Sequence, residues 1–157
     1  MKIRFRLNGR WIETEAQPFQ RALDLLRDTL DVISVKEGCG EGECGACSIL
    51  YNGKQVLSCL LPAVQLDGAE VWTAEGLLAT PLLRAFEEED ALQCGFCTPG
   101  FVVAAYAYVF NGGSEDTAEI RRALAGNLCR CTGYTHILRA VQRAVKEYHA
   151  SSSEKRG

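Results

Sequence analysis

The stretch Gly38-Cys39-Gly40-Glu41-Gly42-Glu43-Cys44-Gly45-Ala46-Cys47 places three thiols and four glycines within ten residues. A fourth thiol, Cys59, completes the spacing C-x4-C-x2-C-x11-C. A loop with so little side-chain bulk lets backbone N–H groups turn inward towards whatever the sulfurs hold. Glycine also permits the positive φ angles of a chain wrapped round a metal. The chain has eight cysteines in all. The other four form a second set, with Cys94 and Cys97 as C-x2-C and, after a gap of 31 residues, Cys129 and Cys131 as C-x-C. Four thiolates make one all-sulfur metal site, so eight make two with none left over.

The first spacing is that of a plant-type [2Fe–2S] ferredoxin loop. Structural zinc also accepts four cysteines, but its sites usually pair two short C-x2–4-C knuckles, and a triplet followed by one distant cysteine is not that pattern. Taken alone, the second set leaves iron–sulfur and zinc both open. A thioredoxin-like role for Cys94-Gly95-Phe96-Cys97 lacks the surrounding βαβ pattern. Gly40-Glu41-Gly42-Glu43-Cys44-Gly45 fits G-x-G-x-x-G, yet it does not join a strand to a helix and a candidate ligand interrupts it. Any flavin is therefore expected on another chain.

The 157 residues suit one ordinary domain or two small ones, and small domains often rely on metal sites to supplement a limited core. The formal charge is −3 with thiols neutral. Each oxidised [2Fe–2S] centre with four thiolates adds roughly two negative charges, so the loaded protein is acidic, which argues against a nucleic-acid partner. No apolar run reaches membrane-spanning length. Met1 to Arg10 alternates polar and apolar residues and does not read as a signal peptide. The expected location is cytoplasmic, where metal ligation is favoured over disulfides.

The expected fold class is α+β. Lys2 to Leu7 alternates like a half-buried strand, Asn8-Gly9 supplies a tight turn, and Arg10 to Glu15 returns as its hairpin partner. Apolar positions from Phe19 to Leu30 recur at helical spacing. A second hairpin turns at Asn52-Gly53, and Val71 to Thr73 reads as a last strand. This is the order of a β-grasp ferredoxin, expected over 1–76. From Thr80-Pro81 the pattern is helical, with a second start at Thr98-Pro99 opening a helix that is apolar almost all round and reads as a buried central helix. Asp116 and Glu119 suggest a capping box, Gly126 a C-cap, and a last helix is expected from about Thr135 to His149. The helical domain is expected over 77–150, with 151–157 a disordered tail.

Three motifs in order carry a resemblance: Gly38 to Cys47 as quoted above, Gln93-Cys94-Gly95-Phe96-Cys97-Thr98-Pro99-Gly100, and Gly126-Asn127-Leu128-Cys129-Arg130-Cys131-Thr132-Gly133-Tyr134. Together they resemble the small iron–sulfur subunit of the molybdenum hydroxylases, the xanthine dehydrogenase, aldehyde oxidase and carbon monoxide dehydrogenase group. The likeness runs from about residue 3 to 148. It implies a plant-type ferredoxin-like domain followed by a four-helix bundle, with one [2Fe–2S] cluster on Cys39, Cys44, Cys47 and Cys59 and another on Cys94, Cys97, Cys129 and Cys131. It implies a large molybdopterin-binding subunit contacted by Gln93 and Cys131, and a medium FAD-binding subunit beside the first cluster. Single electrons would pass from molybdopterin through the second cluster, then the first, to FAD. A heterotrimer, or a dimer of heterotrimers, is the implied assembly. The alternative is a free-standing two-cluster ferredoxin.

The run Ile33-Ser34-Val35-Lys36 and the aromatics between Phe101 and Phe110 depart from the family pattern but include no ligand. Trp11 and the aromatic-rich helix are expected in the core. His136 and His149 read as helix-surface residues, and Arg121, Arg122, Arg130, Arg139, Arg143 and Lys146 as a solvated basic face, with Arg130 also placed to offset cluster charge. Glu87 to Asp90 reads as an exposed helix end. No catalytic constellation stands out, so substrate chemistry is assigned to a partner.

Overall fold

The computed structural model describes residues 1–77 and 80–154. Its first half is a mixed five-stranded sheet and its second half is helical, an α+β arrangement. Strands β1 (Lys2–Leu7) and β2 (Arg10–Glu15) form an antiparallel hairpin in which Leu7 faces Arg10. Asn8 and Gly9 both take positive φ, 49° and 83°, as a two-residue turn between twisted strands requires. Strands β3 (Ser48–Tyr51) and β4 (Lys54–Leu57) repeat the device at Asn52-Gly53. Strand β5 (Glu70–Trp72) inserts between the hairpins, parallel to β1 and antiparallel to β3, giving the order β2-β1-β5-β3-β4.

The helix expected over Phe19–Leu30 is shorter and wider than its periodicity implies. Helix α1 (Ala22–Asp24) passes at once into a π-helical turn over Leu25–Thr29. Leu30 N–H reaches back five residues to the Leu25 carbonyl, and Arg27 Nη1 donates to the carbonyls of Ile33 and Val35. Phe19 lies outside the helix and is exposed, while Leu23, Leu25 and Leu26 are all completely buried against the sheet. Burial of adjacent leucines is what the wider turn accommodates. Trp11 also departs from expectation: it is 56% exposed and lies under the Arg4 guanidinium, 4.7 Å from its carbon. It stands opposite Arg6 in the hairpin register, on the face turned away from the core that holds Ile3, Phe5 and Ile12.

Four helices follow: α2 (Pro81–Glu88), α3 (Thr98–Phe110), α4 (Thr117–Ala123) and α5 (Thr135–Glu154). Helix α3 is apolar all round because it has two partners. Val102 and Val103 pack with Leu50, Ala74 and Leu77 on the sheet side. Phe101, Ala104, Ala105 and Val109 pack with Leu82, Phe86, Ile120, Ile137 and Val141 on the helical side. The two halves therefore share a core along α3.

Several helix ends differ from the sequence reading. Asp116 accepts from Glu119 N–H at 2.9 Å, but the Glu119 carboxylate takes the Ser114 hydroxyl instead of returning to Asp116, so only half of the capping box forms. Helix α4 closes at Leu124, two residues before Gly126. Thr80 directs its hydroxyl back to Leu77 O instead of capping α2, and Cys97, not Thr98, precedes α3. Ser151–Glu154, expected in a disordered tail, continue α5, and residues 155–157 of that tail lie outside the described residues. No helix among the described residues is long and apolar enough to cross a membrane.

Candidate metal centres

The first thiol set hangs on the loop between the π-helical turn and β3, and Cys59 reaches it just after β4. Positive φ at Gly40, Gly42 and Gly45 coils this loop inward. Gly38 has no room for a side chain, since a Cβ there would stand 2.7 Å from Cys44 Sγ. The N–H groups of Glu41 and Glu43 donate to Cys39 Sγ at 3.3 and 3.4 Å. Together with the N–H of Cys44 they pull the Cys39 thiol down to about 6. Burial, reinforced by Cys47 beside it, pushes Cys59 up to about 11. Arg21 braces the loop from outside: Nε donates to Asp24 at 2.8 Å and Nη1 to Glu37 at 2.8 Å.

The second set lies on two helix-end loops. Cys94 and Cys97 precede α3, and Cys129 and Cys131 lie between α4 and α5. Thr132 donates to Cys129 Sγ from its hydroxyl at 3.1 Å and from its N–H at 3.4 Å, while Tyr134 Oη accepts from Cys129 N–H at 3.1 Å. Burial pushes the Cys129 thiol up, but the donors from Thr132, Cys131 and Cys97 prevail and hold it below the ordinary thiol value. Burial, then the Cys129 thiol, pushes Cys97 up to about 12. Cys131 is raised mainly by Cys94 against it. All four thiols line one concavity of about 400 Å³, which Gly38, Cys44 and Ala46 of the first loop also line. Arg130 lines the same space. Gln93 is exposed on the loop ahead of Cys94.

Each set is arranged as two pairs. Cys39 lies against Cys44 and Cys47 against Cys59, while Cys94 lies against Cys131 and Cys97 against Cys129. Among the described residues, no three His, Cys, Asp or Glu side chains converge on a single ion position. A tetrahedral zinc with Zn–S bonds of about 2.3 Å would bring all four sulfurs to roughly 3.8 Å from one another. Two thiols to each of two metals is the division a [2Fe–2S] cluster would use. The all-sulfur donor set, the N–H groups aimed at sulfur and the space kept open by Gly38 fit [2Fe–2S] clusters.

The pairs differ in exposure. Cys47 and Cys59 are buried and Cys39 and Cys44 partly so, whereas Cys94 and Cys131 are open to solvent beside the inner pair Cys97 and Cys129. Phe96 and Leu128 stand around the open end, 48% and 53% exposed. The two sets also touch through the backbone, because Leu128 N–H donates to Cys44 O at 2.9 Å. Sequence reasoning gives Asn127, Thr132 and Tyr134 no individual role. Their signals are nearness to a ligand and membership of the Gly126–Tyr134 motif.

Two iron–sulfur domains on one chain define a class of small electron-carrying proteins. Residues 5–78 match the family described as "2Fe-2S iron-sulfur cluster binding domain" and residues 73–142 the family described as "[2Fe-2S] binding domain". The chain is 43% identical to the nicotinate dehydrogenase small FeS subunit of Eubacterium barkeri, over 92% of this chain and 94% of that one. It is 42% identical to the xanthine dehydrogenase iron-sulfur-binding subunit of Escherichia coli O157:H7, over 86% and 88%. Among solved structures, quinoline 2-oxidoreductase from Pseudomonas putida 86 superposes with a TM-score of 0.90 at 35% identity, covering 96% of both chains. The aldehyde oxidoreductase of Desulfovibrio desulfuricans ATCC 27774 superposes at 0.91 over 95% of this chain but only 17% of its own. The chain belongs to the iron–sulfur subunit family of the molybdenum hydroxylases.

Proposed function

We propose that this chain is the electron-transfer subunit of a heteromeric molybdenum hydroxylase, relaying single electrons from molybdopterin to FAD. The proposed ligands are Cys39, Cys44, Cys47 and Cys59 for one [2Fe–2S] cluster and Cys94, Cys97, Cys129 and Cys131 for the other. The observation that carries the reading is the arrangement of two paired all-sulfur sites end to end, joined by the bond from Leu128 N–H to Cys44 O. A [2Fe–2S] cluster supplies one-electron chemistry. The chain's own work is positional. Glu41, Glu43 and Thr132 direct hydrogen bonds at Cys39 and Cys129, which favours the charged sulfur. The sheet half is assigned the β-grasp plant-type ferredoxin fold and the helical half the four-helix bundle.

The open end at Cys94 and Cys131 is assigned to the large molybdopterin-binding subunit, with Gln93 and Cys131 contacting the pterin. The exposed Phe96 and Leu128 around it support a covered surface in the assembled enzyme. A medium subunit holding FAD is placed beside the first cluster, giving a heterotrimer or its dimer. Substrate selection is assigned to the large subunit, since relatives of this chain carry names as different as nicotinate dehydrogenase and xanthine dehydrogenase. A cytoplasmic location suits eight thiols that must stay reduced until metallated.

The test is the metal and flavin content of the complex recovered gently from native cells. Molybdenum and FAD with about four irons per chain are expected. Iron without molybdenum or flavin would mean a free-standing two-cluster ferredoxin, and zinc without iron would sink the cluster assignment.

A further inference from the structure

We infer that Asn127 is a positioning residue that locks the two thiol-bearing loops together, so that a residue of the second site helps set the geometry of the first. The inference rests on the assignment of a cluster to each thiol set.

Asn127 is only 3% exposed and lies two residues before Cys129. Its Nδ2 donates to Gly45 O at 3.0 Å, across 82 residues of sequence. Its Oδ1 accepts from Gln55 Nε2 at 3.2 Å. Gln55 also donates to Ser48 Oγ at 3.0 Å, and that hydroxyl donates to the same Gly45 carbonyl at 2.7 Å. The four groups close a ring. Leu128 N–H then holds Cys44 O, so two consecutive carbonyls of the first loop are gripped by two consecutive residues of the second.

The grip has no slack. A Cβ on Gly45 would stand 2.4 Å from Gly126 O and 2.6 Å from Asn127 Nδ2, and a Cβ on Gly100 would stand 2.4 Å from Gly45 O. The location matters because Cys44 and Cys47 belong to different thiol pairs, and Gly45 and Ala46 set the spacing between those pairs. Fixing the Gly45 carbonyl fixes how one pair sits relative to the other. The bland role for a buried asparagine is satisfaction of its own polar atoms. That role would be met by local partners and does not require a contact on the other cluster's loop.

The test uses the whole reduced complex, with each cluster's EPR signal assigned by Cys39→Ser and Cys94→Ser. The parent's iron count is the separate check on the cluster assignment, and fewer than about four irons there would fault that assignment, not the link. Asn127→Asp keeps the volume and an acceptor for Gln55 but loses the donor to Gly45 O. The expected result is altered g-values for the first cluster and about tenfold faster loss of its signal to a chelator, the factor set by losing one well-made buried hydrogen bond. Gln55→Met, which breaks the ring from the sheet side, is expected to shift the same signal in the same direction by less, and it decides the matter if Asn127 variants do not fold. A merely structural residue would lower the melting temperature and leave the g-values of surviving protein unchanged. First-cluster spectra and loss rates equal to the parent's in these variants, or changes confined to the second cluster, would overturn the inference.

Discussion

Cys44-Gly45-Ala46-Cys47 and Cys94-Gly95-Phe96-Cys97 are the same motif written twice, C-G-x-C, and the backbone treats them alike. Gly45 has φ +73° and Gly95 has φ +80°. Their surroundings are opposite. Gly45 is pressed between Gly126 O and Asn127, while a Cβ on Gly95 would meet nothing within 4 Å. Cys44 is partly buried where its equivalent Cys94 is exposed, and Cys47 is buried where its equivalent Cys97 is only partly so. The motif thus dictates a turn and a pair of thiols, and packing decides which way they face. One loop is built into its own chain, and the other is left open at the surface assigned to a partner.

The largest effects separate the two loops by their sulfurs. Cys44→Ser is expected to lose the first cluster alone and Cys94→Ser the second alone, each lowering iron from about four to about two per chain by elemental analysis. The Cys44→Ser side-chain change leaves the carbonyl that Leu128 holds in place, so disappearance of both EPR signals would contradict the separation. Gly45→Ala comes next. Left-handed strain plus collision with Gly126 O should cost about 3 kcal/mol in thermal or denaturant unfolding. Gly95→Ala, strained at φ +80° but unobstructed, should cost about 1 kcal/mol. Equal losses would erase the contrast between the loops.

Gln93→Ala should leave both cluster signals at full strength and reduce turnover and pterin content of the assembled enzyme. Unchanged activity and pterin content would remove Gln93 from the pterin contact. The smallest effect concerns Arg21, which braces the first loop through Asp24 and Glu37. Its guanidinium holds the Asp24 carboxyl below its ordinary value of 3.8, so the contribution of the pair is present above that pH and fades as pH falls through the depressed folded value. Arg21→Ala should cost roughly 0.5–1 kcal/mol at neutral pH, with the gap to the parent closing in acid. A gap that stays constant down to acid unfolding would show that the ion pair contributes nothing.

Both hairpins are legible from Asn-Gly dipeptides flanked by alternating residues, because that turn needs positive φ at two positions and few residues tolerate it. The Phe19–Leu30 segment misleads because helical spacing of leucines does not distinguish an α-turn from the wider π-turn that buries Leu25 and Leu26 together. Trp11 misleads because hydrophobicity alone does not say which face of the hairpin a side chain takes, and Trp11 stands opposite Arg6 while its neighbour Ile12 faces the core. Gly126 is not the C-cap of α4, and Gly45 O and Asn127 instead meet beside it, a contact that no local pattern announces.

The sequence by itself determined two sets of four thiols, the hairpin–loop–hairpin order of the first half and the helical character of the second. These follow from short-range constraints: ligand spacing, backbone torsions and hydrophobic periodicity. Only the tertiary structure decided the two-by-two pairing of the thiols, the open face of one site and the closed face of the other, and the ring through Asn127. Those depend on residues tens of positions apart whose meeting is fixed by the shared packing around α3, and side-chain order along the chain carries no record of it.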